Sequence, residues 1–196
     1  MTGGSIYNNV LAGKSYGGAV ALNADNTKFT MSGGTIYSNA AVNAGGAIAV
    51  NGTGAQFTLS GGTIGGTSLD SKNTANNGGA IYVGKGSMVM NGGTISFNQA
   101  GDNGGAIWLN VTGFTMNGGA MTGNVAANKG GAIYVNCNKC TLTLNAGTIS
   151  GNSANSTTAG VGQGIHCDKT GSNACALDKE AVFDLQDSYN NKITIK

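Results

Sequence analysis

The sequence contains no proline and no arginine, and only 9% of its 196 residues are charged. Charged residues make up about 25% of an ordinary globular domain. The absence of proline, together with a regular internal spacing, excludes a Pro/Gly-rich disordered tract. All ten basic residues are lysines, and they are scattered so that the net charge is only +2. This pattern excludes the clustered Lys/Arg footprint of a nucleic-acid-binding protein.

Long apolar runs are also missing. No run approaches the roughly 18 residues that indicate a membrane-spanning helix, and no signal peptide is visible. Met1 falls in the middle of a repeat. We therefore expect the chain to be a fragment of a longer protein.

Glycine is abundant, with 36 residues, and it recurs in two alternating repeat segments. The first segment reads Met31-Ser-Gly-Gly-Thr-Ile36 in the second of six copies, which start 26 to 31 residues apart. The second segment reads Gly45-Gly-Ala-Ile48. Each repeat holds three short stretches in which apolar and polar residues alternate, as in strands with one buried face. The spacing predicts an all-β, right-handed parallel β-helix of about six turns, with three strands per turn and glycine at the corners.

Strand parity predicts which side chains form the core. The inward positions are Phe29, Met31, Ile36, Ile48, Val50, Phe57, Leu59, Ile64, Ile81, Val83, Met88, Met90, Ile95, Ile107, Leu109, Phe114, Met116, Met121, Ile133, Val135, Leu142, Leu144 and Ile149. A row of asparagines also lies three residues after the Ile or Met of the second strand: Asn9, Asn39, Asn98, Asn124 and Asn152. We expect these amides to bond from turn to turn, with Thr67 breaking the row.

The two ends differ in composition. Residues 1–177 form the repeats, whereas residues 178–196 hold seven of the eighteen charges. Phe183/Leu185 and Ile193/Ile195 predict two last strands there. Because charged residues protect strand edges, we interpret 178–196 as a C-terminal capping turn.

The Gly-Gly-Ala-Ile copies, which alternate with an Ile-x-x-Asn segment, resemble the passenger repeats of polymorphic outer-membrane proteins. They are also similar to a wider group of bacterial surface adhesins with right-handed β-helix repeats. This resemblance implies surface display and adhesion, and it carries over no defined binding residues. The Phe-x-x-Asn form typical of the first family is mostly replaced here.

Catalysis is not expected from the acidic residues. The acids of the repeats lie one per loop, at Asp25, Asp70, Asp102 and Asp168, so the paired carboxylates of glycoside hydrolysis are not indicated. A polysaccharide lyase on this fold would need Asp-bound calcium and usually an arginine base. We expect no cofactor and no metal, and the single His166 is interpreted as a surface residue.

Four cysteines fall in two consecutive turns, at Cys137, Cys140, Cys167 and Cys175. A surface protein favours disulfides, and counting along the repeats brings Cys140 level with Cys175 and Cys137 near Cys167. Free thiols and a zinc site remain alternatives, because a CxxC followed by His-Cys also occurs in zinc proteins.

Two outward rows are candidate binding surfaces. The first consists of threonines on two adjacent strands: Thr30, Thr58, Thr115 and Thr143, and Thr35, Thr63, Thr94 and Thr148. Threonine rows about 4.8 Å apart form a lattice of the kind that ice-binding solenoids present. The alternative is that threonine simply favours exposed strand positions. Val89 and Ala120 interrupt the rows.

The second row is aromatic. Tyr82, Trp108 and Tyr134 occupy the outward position of the third strand in consecutive turns, with Asn110 and Asn136 at its edge. This row predicts an exposed strip for glycan or protein binding, although packing along an exposed face would give the same pattern.

The function expected from these features is a non-enzymatic extracellular adhesin or stalk segment at the cell surface. Its partner would be a host-cell or extracellular surface glycan or protein, and the oligomeric state is left open. Ice or crystal-surface binding through the threonine rows is the second hypothesis. A polysaccharide lyase or hydrolase is the third.

Overall fold

The computed structural model describes residues 1–110, 113–136, 140–156 and 164–167, together with the backbone of short strands at 176–177, 185–186 and 192–193. The chain forms an all-β parallel solenoid of about 5 turns with 2% helix. The predicted parallel β-helix is thus confirmed. The expectation of six turns was slightly high, because the last repeat contributes only short strands.

Each turn contains four strands rather than the predicted three, and the strands stack into four parallel sheets. The first sheet contains β1 (Ser5–Tyr7), β5 (Thr35–Tyr37), β9 (Thr63–Gly65), β13 (Thr94–Ser96), β17 (Ala120–Thr122), β21 (Thr148–Ser150) and β25 (Leu185–Gln186), with β26 (Lys192–Ile193) at its end. The second contains β2 (Val10–Leu11), β6 (Ala40–Ala41), β10 (Thr74–Ala75), β14 (Gln99–Ala100), β18 (Val125–Ala126) and β22 (Ser153–Ala154).

The third sheet contains β3 (Val20–Leu22), β7 (Ile48–Val50), β11 (Ile81–Val83), β15 (Ile107–Leu109), β19 (Ile133–Val135) and β23 (Ile165–Cys167). The fourth contains β4 (Lys28–Met31), β8 (Gln56–Leu59), β12 (Ser87–Met90), β16 (Phe114–Met116), β20 (Thr141–Leu144) and β24 (Ala176–Leu177). The sequence did not predict the second sheet, because its two-residue strands are too short to show an alternation of apolar and polar residues.

The core runs along the solenoid axis, and the predicted inward positions lie in it. Register is maintained between turns, so that Ile81 pairs with Ile48 on one side and Ile107 on the other. Phe57 and Phe114 are among the largest fully buried side chains. Each apolar residue therefore packs on its counterparts in the neighbouring turns. Burial of such a side chain stabilises the fold by roughly 1.5–3 kcal/mol.

Glycine is required at the bends because neighbouring turns approach closely there. A Cβ at Gly46 would overlap the carbonyl oxygen of Gly79 in the next turn. Gly34 has φ +89° at the bend between the fourth and first sheets, and a Cβ there would lie 2.6 Å from the carbonyl oxygen of Gly4. Both bends thus exclude side chains, one by close approach and the other also by backbone conformation.

The asparagine row is continuous, contrary to the expectation that Thr67 breaks it. Residues 66–72, which contain the short 3-10 helix Leu69–Ser71, form an insertion after β9. Asn73 follows this insertion and takes the ladder position. The physical reason is that the insertion loops outward and the inward ladder resumes after it. The buried members are Asn39, Asn73, Asn98, Asn124 and Asn152.

At the C-terminal end, Gln186 of β25 pairs with Ser150 in parallel, and β26 then runs antiparallel to β25. Both strands fall in the segment 178–196. The remaining residues of this segment lie outside the described part of the chain, so its role as a cap stays a prediction. No helix among the described residues is long and apolar enough to cross a membrane.

Candidate functional surfaces

The two predicted threonine rows lie in register on adjoining sheets. On the fourth sheet, Thr30 pairs with Thr58, and Thr115 pairs with Thr143. Val89 occupies the intervening turn between Thr58 and Thr115. The Gly-Gly bend separates these strands from the parallel row on the first sheet, which consists of Thr35, Thr63, Thr94, Ala120 and Thr148.

A third column lies at the bend between these two rows, and sequence reasoning missed it. It consists of exposed residues in successive turns: Ser32, Ser60, Asn91, Asn117 and Asn145. The Nδ2 of Asn117 donates to Oδ1 of Asn91 at 2.8 Å, and the Nδ2 of Asn145 donates to Oδ1 of Asn117 at 2.7 Å. In the sequence, this column could have been predicted from the Ser or Asn that recurs after the Met or Leu of the first repeat segment. We call the three columns together the hydroxyl face.

The hydroxyl face carries little charge, and the threonine hydroxyls of its two rows are available, whereas the Ser32 hydroxyl donates to the carbonyl oxygen of Met1. Among the described residues, no threonine of the two rows donates a side-chain hydrogen bond to another residue. The only charged residue in the parallel strands of the fourth and first sheets is Lys28, which opens β4. Of the other charged residues that the structure describes, Lys192 lies in β26 at the end of the first sheet, and the rest lie at other corners of the solenoid: Lys14, Asp25, Asp70, Lys72, Lys85, Asp102 and Lys129.

The aromatic row forms a column, as predicted, but it is not an exposed strip. Trp108 pairs in register with Tyr82 and with Tyr134. Tyr82 and Tyr134 are each only 5% exposed, and Trp108 is half-buried. The side chains point away from the main core, as strand parity predicted. The expected exposure was wrong because a repeat of about 4.8 Å lets each ring cover its neighbour's face.

Ring contacts run along much of this column. The centroids of Tyr82 and Trp108 are 5.0 Å apart. Tyr16 reaches from the first turn over the small side chains of Ala44 and Ala49 and stacks on Tyr82 at 4.7 Å. At the other end, His166 stacks on Tyr134 at 5.9 Å, with planes only 2° apart. Tyr82 thus contacts a ring on each side, and Trp108 and Tyr134 each contact one other ring, which reduces the aromatic surface open to a sugar.

The predicted edge residues Asn110 and Asn136 do lie beside the column, and they bond within the protein. Asn110 Nδ2 donates to the hydroxyl oxygen of Tyr82, and Asn136 Nδ2 donates to Asn110 Oδ1, both at 3.3 Å. Burial raises the pKa of Tyr82, the hydrogen bond from Asn110 lowers it, and Tyr16 raises it, with a net upward shift. Asn110 therefore serves first to satisfy a buried phenol.

Two buried side-chain atoms among the described residues lack a hydrogen-bond partner: Asn103 Oδ1 and Trp108 Nε1. They belong to the same turn, one on each side of the Gly104-Gly105 bend. The indole nitrogen is buried, although Trp108 was predicted to lie in an exposed strip. Its burial follows from the close stacking of the column.

Cys140 and Cys167 are both disulfide-bonded, and no described cysteine is free. Cys137 and Cys175 lie outside the described residues. Cys140 directly precedes Thr141 and Cys175 directly precedes Ala176, and Thr141 pairs with Ala176. Cys167 itself pairs with Val135, two residues before Cys137. These registers are consistent with the predicted pairs, which stay a prediction.

No group of three or more His, Cys, Asp or Glu residues that could hold a metal ion occurs in the described part of the chain. Asp25 accepts a hydrogen bond from the backbone N–H of Thr53 at 2.8 Å, and Asp102 accepts one from Asn128 at 3.2 Å. Both carboxylates therefore have contacts that stabilise loops.

No known family model, curated protein or solved structure matches this chain. The fold is thus established by the structure, and the resemblance to surface adhesins rests on the repeat motifs.

Proposed function

We propose that the chain is a non-enzymatic extracellular adhesin or stalk segment that binds a repetitive, uncharged surface glycan through the hydroxyl face. The observation that carries this proposal is the stack of in-register, uncharged Thr and Ser/Asn columns, whose threonine hydroxyls have no hydrogen-bond partner among the residues that the structure describes. Hydroxyl and amide groups both donate and accept hydrogen bonds, as sugar hydroxyls do.

Repetition favours a polymeric ligand. Successive turns present the same groups about every 4.8 Å, so a glycan lying along the solenoid meets an equivalent set of groups in each turn. Each contact is weak, and affinity grows with the number of turns engaged. The lack of charge favours neutral glycans over acidic polysaccharides. The disulfide bonds of Cys140 and Cys167 support an oxidising, extracellular location.

The test is a charged substitution at the centre of the face. Thr58→Lys with Thr115→Lys introduces two long cationic side chains at half-buried outward positions. We expect at least a ten-fold loss of affinity in glycan arrays and in pull-downs with insoluble neutral polysaccharides. Thr74→Lys is the matched control, because Thr74 is also half-buried but lies on the second sheet. It should bind as the unaltered chain does.

Equal binding by the Thr58→Lys/Thr115→Lys variant, with an unchanged circular dichroism spectrum, would exclude the hydroxyl face. The adhesive surface would then lie elsewhere, for example in the insertion at 66–72. Release of sugar from pectin-like substrates by the unaltered chain would contradict a non-enzymatic role.

The second candidate function is binding to ice or another crystal surface. The register of Thr30 with Thr58 and of Thr35 with Thr63 favours it, because a crystal recognises a two-dimensional lattice of groups. Thermal hysteresis separates the two functions. If a solution of the unaltered chain freezes without hysteresis, ice is excluded as the ligand. If the unaltered chain shows hysteresis and the Thr58→Lys variant does not, the result favours ice binding over the glycan proposal.

A further inference from the structure

The chain contains five Asn-Gly pairs, in which an asparagine can modify itself. Because glycine has no Cβ, its backbone nitrogen approaches the side-chain carbonyl carbon of the preceding asparagine without steric hindrance. Attack by that nitrogen requires an accessible side chain and a backbone N–H that no acceptor holds. The asparagines of the five pairs are Asn51, Asn77, Asn91, Asn103 and Asn117.

Three of the pairs are protected by backbone hydrogen bonds between turns. The N–H groups of Gly52, Gly78 and Gly104 each donate to a carbonyl oxygen in a neighbouring turn at 2.8–2.9 Å. The asparagines that precede these glycines are all partly buried. These glycine nitrogens therefore cannot turn toward the side chain before them unless the pairing of the turns breaks.

The other two pairs lie in the exposed Ser/Asn column of the hydroxyl face. At this bend, two consecutive N–H groups usually share one carbonyl oxygen of the preceding turn. Asn91 and Gly92 share the oxygen of Leu59, at 2.8 and 3.3 Å. Asn145 and Ala146 share the oxygen of Met116 at the same two distances.

The pair Asn117-Gly118 departs from this pattern. The carbonyl oxygen of Met90 accepts the N–H of Asn117 at 2.7 Å. The N–H of Gly118 has no acceptor among the residues that the structure describes. Among the five pairs, this is thus the one that combines an exposed asparagine with a glycine N–H that no hydrogen bond holds.

The amide ladder also activates the carbonyl group that would be attacked. The Nδ2 of Asn145 donates to Oδ1 of Asn117 at 2.7 Å. When a nucleophile adds to Cγ, negative charge develops on Oδ1, and a donor already in place stabilises that charge. The same hydrogen bond makes Cγ more electrophilic in the resting state.

We propose that Asn117 is a self-modification site that converts to an acid without an enzyme. The nitrogen of Gly118 forms a bond to Cγ of Asn117 and gives up its proton, and the Cγ–Nδ2 bond breaks with release of ammonia. Water then opens the resulting five-membered imide ring. Cleavage at Cγ gives aspartate, and cleavage at the backbone carbonyl gives isoaspartate. The sum is an amide and water giving an acid and ammonia, with no change of oxidation state.

The product changes the hydroxyl face at its centre. The Nδ2 of Asn117 donates to Oδ1 of Asn91 at 2.8 Å. A carboxylate has no proton to donate, so two oxygens face each other and this step of the ladder is lost. A negative charge also enters a face that carries little charge. The modification should therefore weaken glycan binding, an effect that rests on the proposed function.

Peptide mass spectrometry of the aged full chain tests the site without any ligand. At neutral pH, acid should form at Asn117 at least ten-fold faster than at Asn51, Asn77 or Asn103, and faster than at Asn91. In urea with a reductant the five pairs lose their structural differences, and their rates should lie within a few-fold. Faster modification of another pair in the folded chain, no acid at Asn117, or the same selectivity in urea overturns the proposal.

Variants test the effect on binding. Asn117→Asp should bind insoluble neutral polysaccharides at least ten-fold more weakly than Asn117→Gln, because only the first adds a charge. Thr74→Asp is the control, since Thr74 lies on the second sheet, and it should bind as the unaltered chain does. Thermal unfolding verifies that the variants fold.

The binding results separate the two proposals. If Asn117→Asp and Asn117→Gln bind equally while Thr58→Lys/Thr115→Lys does not bind, control of binding by Asn117 is overturned and the proposed function stands. If Thr58→Lys/Thr115→Lys also binds as the unaltered chain does, the proposed function fails. The modification site is decided by the mass measurement in either case.

Discussion

The side-chain amide of Asn39 donates a hydrogen bond to Oδ1 of Asn73 at 3.0 Å, although 34 residues separate the two in the chain. The backbone N–H of Asn39 donates to the same oxygen at 3.0 Å. Asn73 in turn donates to the carbonyl oxygen of Ile36 and to Oδ1 of Asn98, both at 2.9 Å. One buried amide thus connects three successive turns and keeps the ladder intact beyond the insertion at 66–72.

Asn98→Ala should destabilise the protein strongly. The Asn98 side chain accepts from Asn73 at 2.9 Å and donates to Asn124, Ile64 and Ser96 at 2.9–3.0 Å. Its loss leaves several buried groups without hydrogen-bond partners, and each such group costs about 1–3 kcal/mol. We therefore expect urea denaturation to show that the free energy of unfolding falls by at least ~3 kcal/mol. Asn117→Ala removes a member of the exposed ladder and should cost under ~1 kcal/mol. Equal effects would show that burial of the ladder is not what matters.

Gly46→Ala should also destabilise the fold, by about 1–3 kcal/mol or more. Its Cβ would overlap the carbonyl oxygen of Gly79, and it would lie 2.5 Å from the carbonyl oxygen of Thr74. Both contacts are with backbone, which cannot rotate away. Gly3→Ala is the control, because a Cβ there meets nothing within 4 Å. Chemical denaturation of both variants measures the difference, and a Gly46→Ala variant as stable as the control would contradict the close approach of the turns.

Alkaline pH should weaken the fold through Tyr82. Its pKa is raised above 10.0 in the folded chain, chiefly by burial. The neutral phenol is therefore favoured by the folded state, and its contribution is full below the unfolded pKa and is lost as pH rises through the folded pKa. Thermal unfolding between about pH 8 and pH 11 should show this decline. Tyr82→Phe should reduce the slope, and an unchanged slope would assign the decline to other groups.

Disulfide mapping should find Cys140 linked to Cys175 and Cys137 linked to Cys167. The pairing of Thr141 with Ala176 and of Val135 with Cys167 brings these positions to matching levels. Cys140→Ser with Cys175→Ser should remove one link and lower stability by about 2–4 kcal/mol. Mass spectrometry of unreduced peptides makes the assignment. A Cys137–Cys175 peptide would refute it.

Deletion of residues 178–196 should promote aggregation. The deletion removes β25 and β26 and so leaves the edge of β21 in the first sheet without a partner. An unprotected apolar edge pairs with other chains. Light scattering of the truncated chain during mild heating measures the effect. A truncated chain that stays soluble and monomeric would indicate that 178–196 is not a cap.

The sequence by itself determined the parallel solenoid, the inward positions and the register of the outward rows. Its repeats have nearly constant length, so position within a repeat predicts both face and neighbour. This is why Thr58 and Trp108 were placed correctly beside their counterparts in adjoining turns. Glycine at the bends followed in the same way, because only glycine permits such close approach of two backbones.

Only the tertiary structure decided the number of strands per turn, the course of residues 66–72 and the exposure of the aromatic column. A two-residue strand such as β2 is too short to show periodicity. The insertion at 66–72 shifts the residue count within the repeat, so the sequence alone assigns Thr67 to the ladder position that Asn73 occupies. Exposure depends on what neighbouring turns place over a side chain. Parity predicts that Tyr82 points outward, but Tyr16, Trp108 and Asn110 together cover it, because stacked turns bring rings into contact that are far apart in the sequence.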